Sequence, residues 1–457
     1  MKHSGWQWLA VVSSLLLQTL AAAETRPQYG GTLHVATHIA ASSLDPSDNS
    51  QPDSIVRRNL LRLMFDSLVT VNDRGRLQPA LATSWRAEPG NQRWQFWLRR
   101  GTRFQDGSPL TPEAVAACLR AANPDWKVLA STDSVIVERD SPAPDLPFEL
   151  ARVRNAIAKR LPRGAVVGTG PFHVADWQPG VRLTLAAEEG CWSGRPFVDA
   201  IEIEMGKNAR DQLIALELGK VEIAEIAAEQ AHRVSGEFTR VVSSAPVELL
   251  TLVFSRERQS ADDGKLREAL ALSVDRASIR TVVLQDTGEP AGGILPNWIS
   301  GYAFVYPTEQ NLARARQERS ELQRAAPWAL GYDADDALAR VIAERVALNA
   351  RDAGLILQTT TSSTADLRVA RIDLASVNPA TALAAVRARA SIPAAKTGGT
   401  SVEDLYQAES NILQAQRLIP LFQLPVSYAL NPAVRGSSMS PDGDWHLAGV
   451  WLEKSKP

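Results

Sequence analysis

A chain of 457 residues is longer than one ordinary hydrophobic core supports, so two or three domains are expected. Hydrophobic residues make up 45% and charged residues 22%, a globular composition that argues against a disordered or repetitive chain. The 49 basic and 51 acidic residues leave a formal net charge of -2 with no long basic run, which excludes the usual electrostatic footprint of a nucleic-acid binder.

The chain begins with the cationic Met1-Lys2-His3. A mostly apolar stretch follows from Leu9 to Leu20, and then the small residues Ala21-Ala22-Ala23. This is the pattern of a secretory signal peptide, residues 1–23, cleaved near Ala23. The run is too short for a comfortable membrane span. A buried N-terminal helix or an uncleaved anchor is the alternative reading. No cysteine stands at the cleavage site, so a lipoprotein is not expected. The destination is the periplasm.

Thr32 to Ala36 reads as a short strand, broken by Leu44-Asp45-Pro46. Residues 55–68 suit an amphipathic helix, with Ile55, Leu60, Leu61, Met64, Phe65 and Leu68 on its apolar face. Trp94, Phe96 and Leu98 alternate with Gln95, Trp97 and Arg99, which is strand periodicity. Asp106-Gly107 is a turn signal. Thr111 suits an N-cap, Pro112 the first helical position and Glu113 the first turn of a helix over 112–122. One strand is expected at Ser134–Glu138, then two at 173–177 and 182–186. The pair Gly168-Thr169-Gly170 with Pro171 is too short for a dinucleotide fingerprint and reads as a turn. A helix over 210–218 stops at Gly219. Glu248 to Phe254 is a continuous apolar run, the kind of strand that is buried on both faces. One helix is expected over 265–279 and another over 309–324. A long one over 335–352 carries Leu338, Val341, Ile342, Val346 and Leu348 inward and is closed by Gly354. With the strand at 355–358 it forms a parallel α/β unit. The last helix, 401–418, opens with Ser401 and Asp404 in near capping-box spacing. The strand from Ile419 follows.

No motif of hydrolytic or nucleotide chemistry is present: there is no Gly-x-Ser-x-Gly, no Walker A loop and no His-Glu-x-x-His. No catalytic residue is therefore expected. His34 and His38 are four apart but lie on a strand and its exit rather than one helix face, so no metal site is assigned to them, and no cofactor is implied. Cys118 and Cys191 either pair in an oxidising compartment or serve as small buried hydrophobes. The acidic pairs Asp262-Asp263 and Asp335-Asp336 sit at helix starts, where the dipole accounts for them. Trp298 and Tyr302 lie in a Gly/Pro-rich loop, 290–307, where core demand is weak, so they are candidates for lining a cleft.

Several of these stretches resemble the extracellular solute-binding proteins of peptide-type ABC importers, the family 5 binding proteins for oligopeptides, dipeptides and nickel. Residues 63–115 are similar to the family's "FEGLV…PALAESW…FHLRKGVKFHDGTPLTAEDV". Residues 168–172 match "GTGPY", 191–201 match "YWGGKPYVDKI", and 265–279 match "VRQALAYAIDREAI". The resemblance implies an α/β, two-lobed periplasmic binding protein-like (type II) fold with a subdomain inserted in lobe one. Lobe one would span 24–255 plus 425–457, its subdomain about 50–165, and lobe two 256–424. It further implies a non-enzymatic monomer. The protein would capture a peptide or other small solute between its lobes and pass it to an inner-membrane ABC permease. A diverged, non-transporting module, such as a periplasmic sensor or assembly partner, is the alternative.

The family lines its cleft partly with the loop that here runs from Ser47 to Asp53, which makes Ser50 and Gln51 candidate ligand contacts. Dipeptide-type relatives read like "DLALGGWGADYPDP" where this chain reads DLRVARIDLASVNP from Asp366 to Pro379. Ala375 replaces the aspartate that meets a ligand's ammonium group in those relatives. Asp373, two residues away, and Ser376 are the remaining candidates there. Arg368 and Arg371 in the same stretch either face an anionic ligand or are solvated strand-edge charges.

Overall fold

The structure is a computed structural model that describes residues 26–48, 50, 54–234, 236, 239–322, 326–374, 376–393 and 401–453. The expected signal peptide and Gln51 lie outside these residues. Two long strands, Arg240–Phe254 and Leu418–Leu430, run antiparallel through the middle of the molecule. Both are apolar at most positions, as strands covered on two sides must be. Among the described residues they belong to an 11-stranded sheet that spans both lobes. On one side Leu418–Leu430 pairs with Ile223–Ile226, which lies parallel to Thr32–Ala36, itself parallel to Ala200–Glu204. On the other, Arg240–Phe254 pairs with Leu367–Asp373, then Trp328–Gly331 and Leu357–Thr360 follow in parallel. The helix Ala337–Asp352 connects the last two, so the parallel α/β unit read from the sequence is present.

The cores are separate. One gathers Leu33, Val35, Phe172, Leu185, Ile201 and Ile203 with Tyr428 and Leu430. Two others, around Leu252, Leu270, Ile342 and Phe422 and around Ile294, Ile372, Leu383 and Ile412, cover opposite faces of the second half of the sheet. A fourth fills a four-stranded antiparallel sheet, in the order Ala82–Ala87, Arg93–Leu98, Ser134–Glu138, Lys127–Ala130, under the helix Pro112–Ala122. That helix starts as its sequence dictates: the Thr111 side chain accepts the Ala114 N–H, and Pro112 occupies the first turn, where a missing N–H costs nothing.

Several expected elements differ, each for a local reason. The helix from Ile55 ends at Arg62 rather than 68. The Met64 carbonyl is committed elsewhere: it accepts the Gly170 N–H and the Gln105 side-chain amide. Met64, Phe65 and Leu68 are buried all the same, through turns. The helix expected over 265–279 is two, Ala261–Ser273 and Arg276–Val282. Val274 is extended, and Asp275 caps the second helix by accepting the Ser278 N–H, so capping chemistry overrides the apolar periodicity. Leu348, expected inward, is exposed, because the buried stripe of its helix runs Leu338, Ile342, Val346, Ala350 and Leu348 lies off it. The expected single strand after residue 123 is a hairpin, Lys127–Ala130 with Ser134–Glu138. Cys118 and Cys191 are unpaired and half-buried, and burial pushes the Cys118 thiol up to about 11.

Candidate functional site

The pairing of the two long strands breaks where they pass from the half of the sheet that holds Ile223–Ile226 to the half that holds Leu367–Asp373, ahead of the expected lobe boundary at residue 255. Their register shifts between Ser243 and Pro246 and again between Pro246 and Glu248, with Pro246 opposite Pro425. Neither proline has an N–H for the ladder. Side chains make up part of the loss: Ser244 Oγ accepts the Val426 N–H at 3.1 Å, and Trp298 Nε1 donates to the Pro246 carbonyl at 2.8 Å. A break in a ladder at this position is where two lobes can change their relative tilt.

Charged groups from both lobes gather around this break. On the side of Leu367–Asp373, Glu248 is 6% exposed and accepts two hydrogen bonds from Arg371, at 2.6 and 3.0 Å. Arg371 also lies 3.6 Å from Asp336, the N-cap of Ala337–Asp352, and keeps 38% of its side chain exposed. It is not a freely solvated charge, because Glu248 and Asp336 hold it. The charge of Glu248 holds the Arg371 guanidinium far above its ordinary range. Arg368 is occupied separately, donating to the carbonyls of Ser362 and Tyr332.

On the lobe-one side, His38 lies just past Thr32–Ala36. Its Nδ1 is 2.6 Å from Glu225 Oε2. Burial pulls the imidazole pKa down, but the hydrogen bond and charge of Glu225 outweigh it and leave His38 above the ordinary histidine value. His38 also feels the charges of Arg371 and Glu248 across the strand break. Glu229 does likewise with Arg371, Asp336 and Glu248. Its Oε2 is buried with no hydrogen-bond partner among the described residues, and burial raises its pKa. His34 faces a different glutamate, Glu222, so the two histidines do not converge.

Asp373 joins the two sides. It ends the lobe-two strand Leu367–Asp373, and its Oδ2 accepts the Ile55 N–H at 3.0 Å, the first residue of the helix Ile55–Arg62 in lobe one. Burial and the repulsion of Glu248 push its carboxyl up to about 7, against the pull of the Ile55 N–H, Arg371 and Arg58.

The other candidate residues fall in different places. Trp298 reaches the strand break through its indole and is 37% exposed. Tyr302 is only 7% exposed. Its ring stacks on Phe304 at 5.3 Å and meets Tyr306 and Tyr406 edge-on, beside the buried Glu409. It therefore sits inside an aromatic cluster. Ser376 Oγ accepts the Asn378 N–H ahead of the helix Pro379–Arg389. Ser50 is exposed, with its N–H on Asp48. The sequence reading missed Glu225, Glu229 and Glu248, and it weighed His38 only as a metal ligand. A signal existed for Glu248: a lone carboxylate opening an otherwise apolar run.

No helix among the described residues is long and apolar enough to cross a membrane. The chain is 23% identical over 323 residues to the nickel-binding protein NikA of Staphylococcus aureus, which covers 67% of this chain and 64% of that one. It is 23% identical over 269 residues to the probable D,D-dipeptide-binding periplasmic protein DdpA of Escherichia coli, covering 52% of each. The chain thus spans less than two thirds of the length of these relatives. Among solved structures, the dipeptide-binding protein of Pseudoalteromonas sp. SM9913 in complex with Met-Leu superposes with a TM-score of 0.80 at 14% identity, over 93% of this chain and 100% of that one. This likeness establishes the two-lobed type II fold with mixed α/β content. Residues 76–374 match the bacterial extracellular solute-binding proteins, family 5 (middle region), and with about two thirds of its length so matched the chain belongs to that family.

Proposed function

We propose that this protein captures a peptide or peptide-like solute in the cleft between its lobes, outside the cytoplasm, and delivers it as a monomer to an inner-membrane ABC permease. The observation that carries this reading is the break in the two long strands at Pro246 and Pro425, ringed by charged side chains of both lobes. Closure would bring the two charged walls onto one solute, and only contacts stronger in the closed form favour closing. Of the groups named around the break, Glu225, Glu229, Glu248, Asp336 and Asp373 are acidic and His38 and Arg371 basic. A solute that brings an ammonium group reduces that imbalance, and it offers the unpartnered Glu229 oxygen a donor. The D,D-dipeptide-binding relative supports a small solute of this kind. No bond is made or broken in this reading, so it calls for no catalytic residue.

Native mass spectrometry of the purified protein, followed by thermal shift against di- and tripeptides, tests the reading. A solute at a hundred times its Kd stabilises the folded chain by about 2.7 kcal/mol, an easily measured shift. The expected result is a shift with a subset of peptides bearing a free amino terminus. No co-purified solute and no shift with peptides, sugars or metal chelates would overturn it in favour of a non-transporting module.

A further inference from the structure

We propose that Glu409 is a positioning residue for Trp298: its carboxylate fixes the loop 291–307, and only from a loop so fixed does the indole reach the Pro246 carbonyl at the strand break. For its effect on solute affinity the inference rests on the reading of a solute held beside that break; for the placement of the indole it rests on the contacts alone. Glu409, in the helix Val402–Gln414, is 0% exposed. Its Oε1 accepts the N–H groups of Ile294 and Leu295, at 2.5 and 3.1 Å. Its Oε2 is buried beside the Tyr302 hydroxyl. An apolar side chain of this size would fill the place without the cost of desolvating a charge. What the carboxylate adds is direction, because one oxygen holds two consecutive N–H groups of the loop. Gln423, on Leu418–Leu430, holds the same stretch from the other side by donating its amide to the Ile294 carbonyl at 3.3 Å.

Little slack separates this anchor from Trp298. A Cβ on Gly293 would lie 2.5 Å from the Tyr306 ring and 3.0 Å from Glu409 Oε1, so the backbone there is pressed against both. A Cβ on Gly292 would lie 2.3 Å from the Pro307 carbonyl oxygen, which closes the neck of a compact loop. Pro296 follows Leu295 with its φ held by the ring at -68° and starts the single helical turn Asn297–Ser300. The N–H groups of Ile299 and Ser300 both return to the Pro296 carbonyl, and Ile299 is buried in the same core as Ile412, three residues after Glu409. Trp298 projects from this turn. Its Nε1 donates to the Pro246 carbonyl at 2.8 Å, at the place where Pro425, opposite Pro246, has no N–H to offer. The indole is 37% exposed, so its own packing does not hold it there; the turn beneath it does.

The test reads the Trp298 indole N–H directly, by two-dimensional NMR of the full mature chain without solute, labelled with isotope-enriched tryptophan. The signal that disappears in Trp298→Phe is its own. Glu409→Leu removes the acceptor, and the Trp298 signal is expected to move and to exchange with water several-fold faster while the other indole signals stay in place. Should that variant not fold by circular dichroism, Glu409→Asp withdraws the carboxylate by one methylene and should displace the same signal. Glu409→Gln keeps an acceptor oxygen and should leave it at the wild-type position. A Trp298 signal unmoved in Glu409→Leu or Glu409→Asp, or one that moves together with all the others, would overturn the inference. For a dipeptide that stabilises the wild type, isothermal titration adds a second readout. Trp298→Phe and Glu409→Leu should each weaken binding several-fold, and the two together no further than the greater single loss. Additive losses would overturn the inference as well, since Glu409 would then act by a route other than Trp298. If no peptide binds, the functional reading falls while the indole signal still decides whether Glu409 places Trp298.

Discussion

Arg371 grips Glu248 through two hydrogen bonds, Nε to Oε1 at 2.6 Å and Nη2 to Oε2 at 3.0 Å, across the adjacent strands Leu367–Asp373 and Arg240–Phe254. Planar, two-point pairing of this kind fixes the orientation of both groups as well as their separation. The pair is asymmetric. Glu248 is buried and Arg371 is partly open to the cleft. The glutamate thus aims the arginine, and the charges of Asp336 and Asp373 also act on it.

Removing the arginine should therefore hurt more than removing both members. Arg371→Ala leaves Glu248 buried without its cation, and breaking a fully buried pair costs about 3–5 kcal/mol. Because Arg371 is partly exposed and water can replace it, a loss of about 2 kcal/mol in urea unfolding is expected. Arg371→Met combined with Glu248→Gln should lose less than Arg371→Ala alone. Equal losses in the two variants would mean that the pair contributes nothing through its charges.

Local elements of the fold were largely legible in the sequence, and the cleft was not. Thr111, Pro112 and Glu113 announced a helix start that the structure reproduces, and Gly219 and Gly354 end their helices with positive φ, as glycine allows. Those signals act within one turn of chain. The helix from Ile55 was overrun because the Met64 carbonyl is used by Gly170 and Gln105, partners that no local window contains. The cleft fails for the same reason at larger scale. His38, Glu225 with Glu229, Glu248 and Arg371 come from four separate segments and become neighbours only in the folded chain. Arg371 read as either a contact for an anionic ligand or a solvated strand-edge charge, because its partners Glu248 and Asp336 lie far away in the sequence.

Trp298 and Tyr302 should now separate in their effects. Trp298→Phe keeps the ring but loses the hydrogen bond to the Pro246 carbonyl at the strand break, worth about 0.5–1.5 kcal/mol. A several-fold weaker solute affinity is expected, with little change in unfolding. Tyr302→Phe, inside the aromatic cluster with Phe304, Tyr306 and Tyr406, should leave affinity unchanged. Isothermal titration with whichever solute co-purifies measures both. Equal affinity losses would mean that the two residues share one surface.

Gly170→Ala should destabilise the chain although the backbone there is ordinary. A Cβ at this position would lie 2.6 Å from the Met64 carbonyl carbon and 2.9 Å from the Phe65 nitrogen, atoms that belong to a backbone already hydrogen-bonded to Gly170 itself. Nothing flexible is available to give way, so the two segments must separate. Overpacking of this kind costs about 1–3 kcal/mol. Gly75→Ala is an instructive contrast, since its Cβ would meet no atom and only its positive φ resists. A urea midpoint for Gly170→Ala that matches the wild type would show that the close approach is not maintained in solution.

The pH dependence of stability carries a signature of His38. Its pKa in the folded chain lies above its ordinary value because Glu225 outweighs the effect of burial. A raised histidine pKa means that the folded chain binds the proton more tightly, so the stabilisation is complete below the unfolded value of about 6.5 and is lost as the pH rises through the folded value. Asp373, also raised, acts in the same sense, because its carboxyl likewise holds a proton more tightly in the folded chain. The wild-type curve alone therefore does not isolate the histidine. The difference between wild type and His38→Gln does: it should be largest at pH 5.5 and shrink steadily towards pH 8.5 in urea unfolding. A difference that stays constant over that range would mean the folded chain holds His38 no more tightly protonated than the unfolded one, and the Glu225 contact would then act as a neutral hydrogen bond.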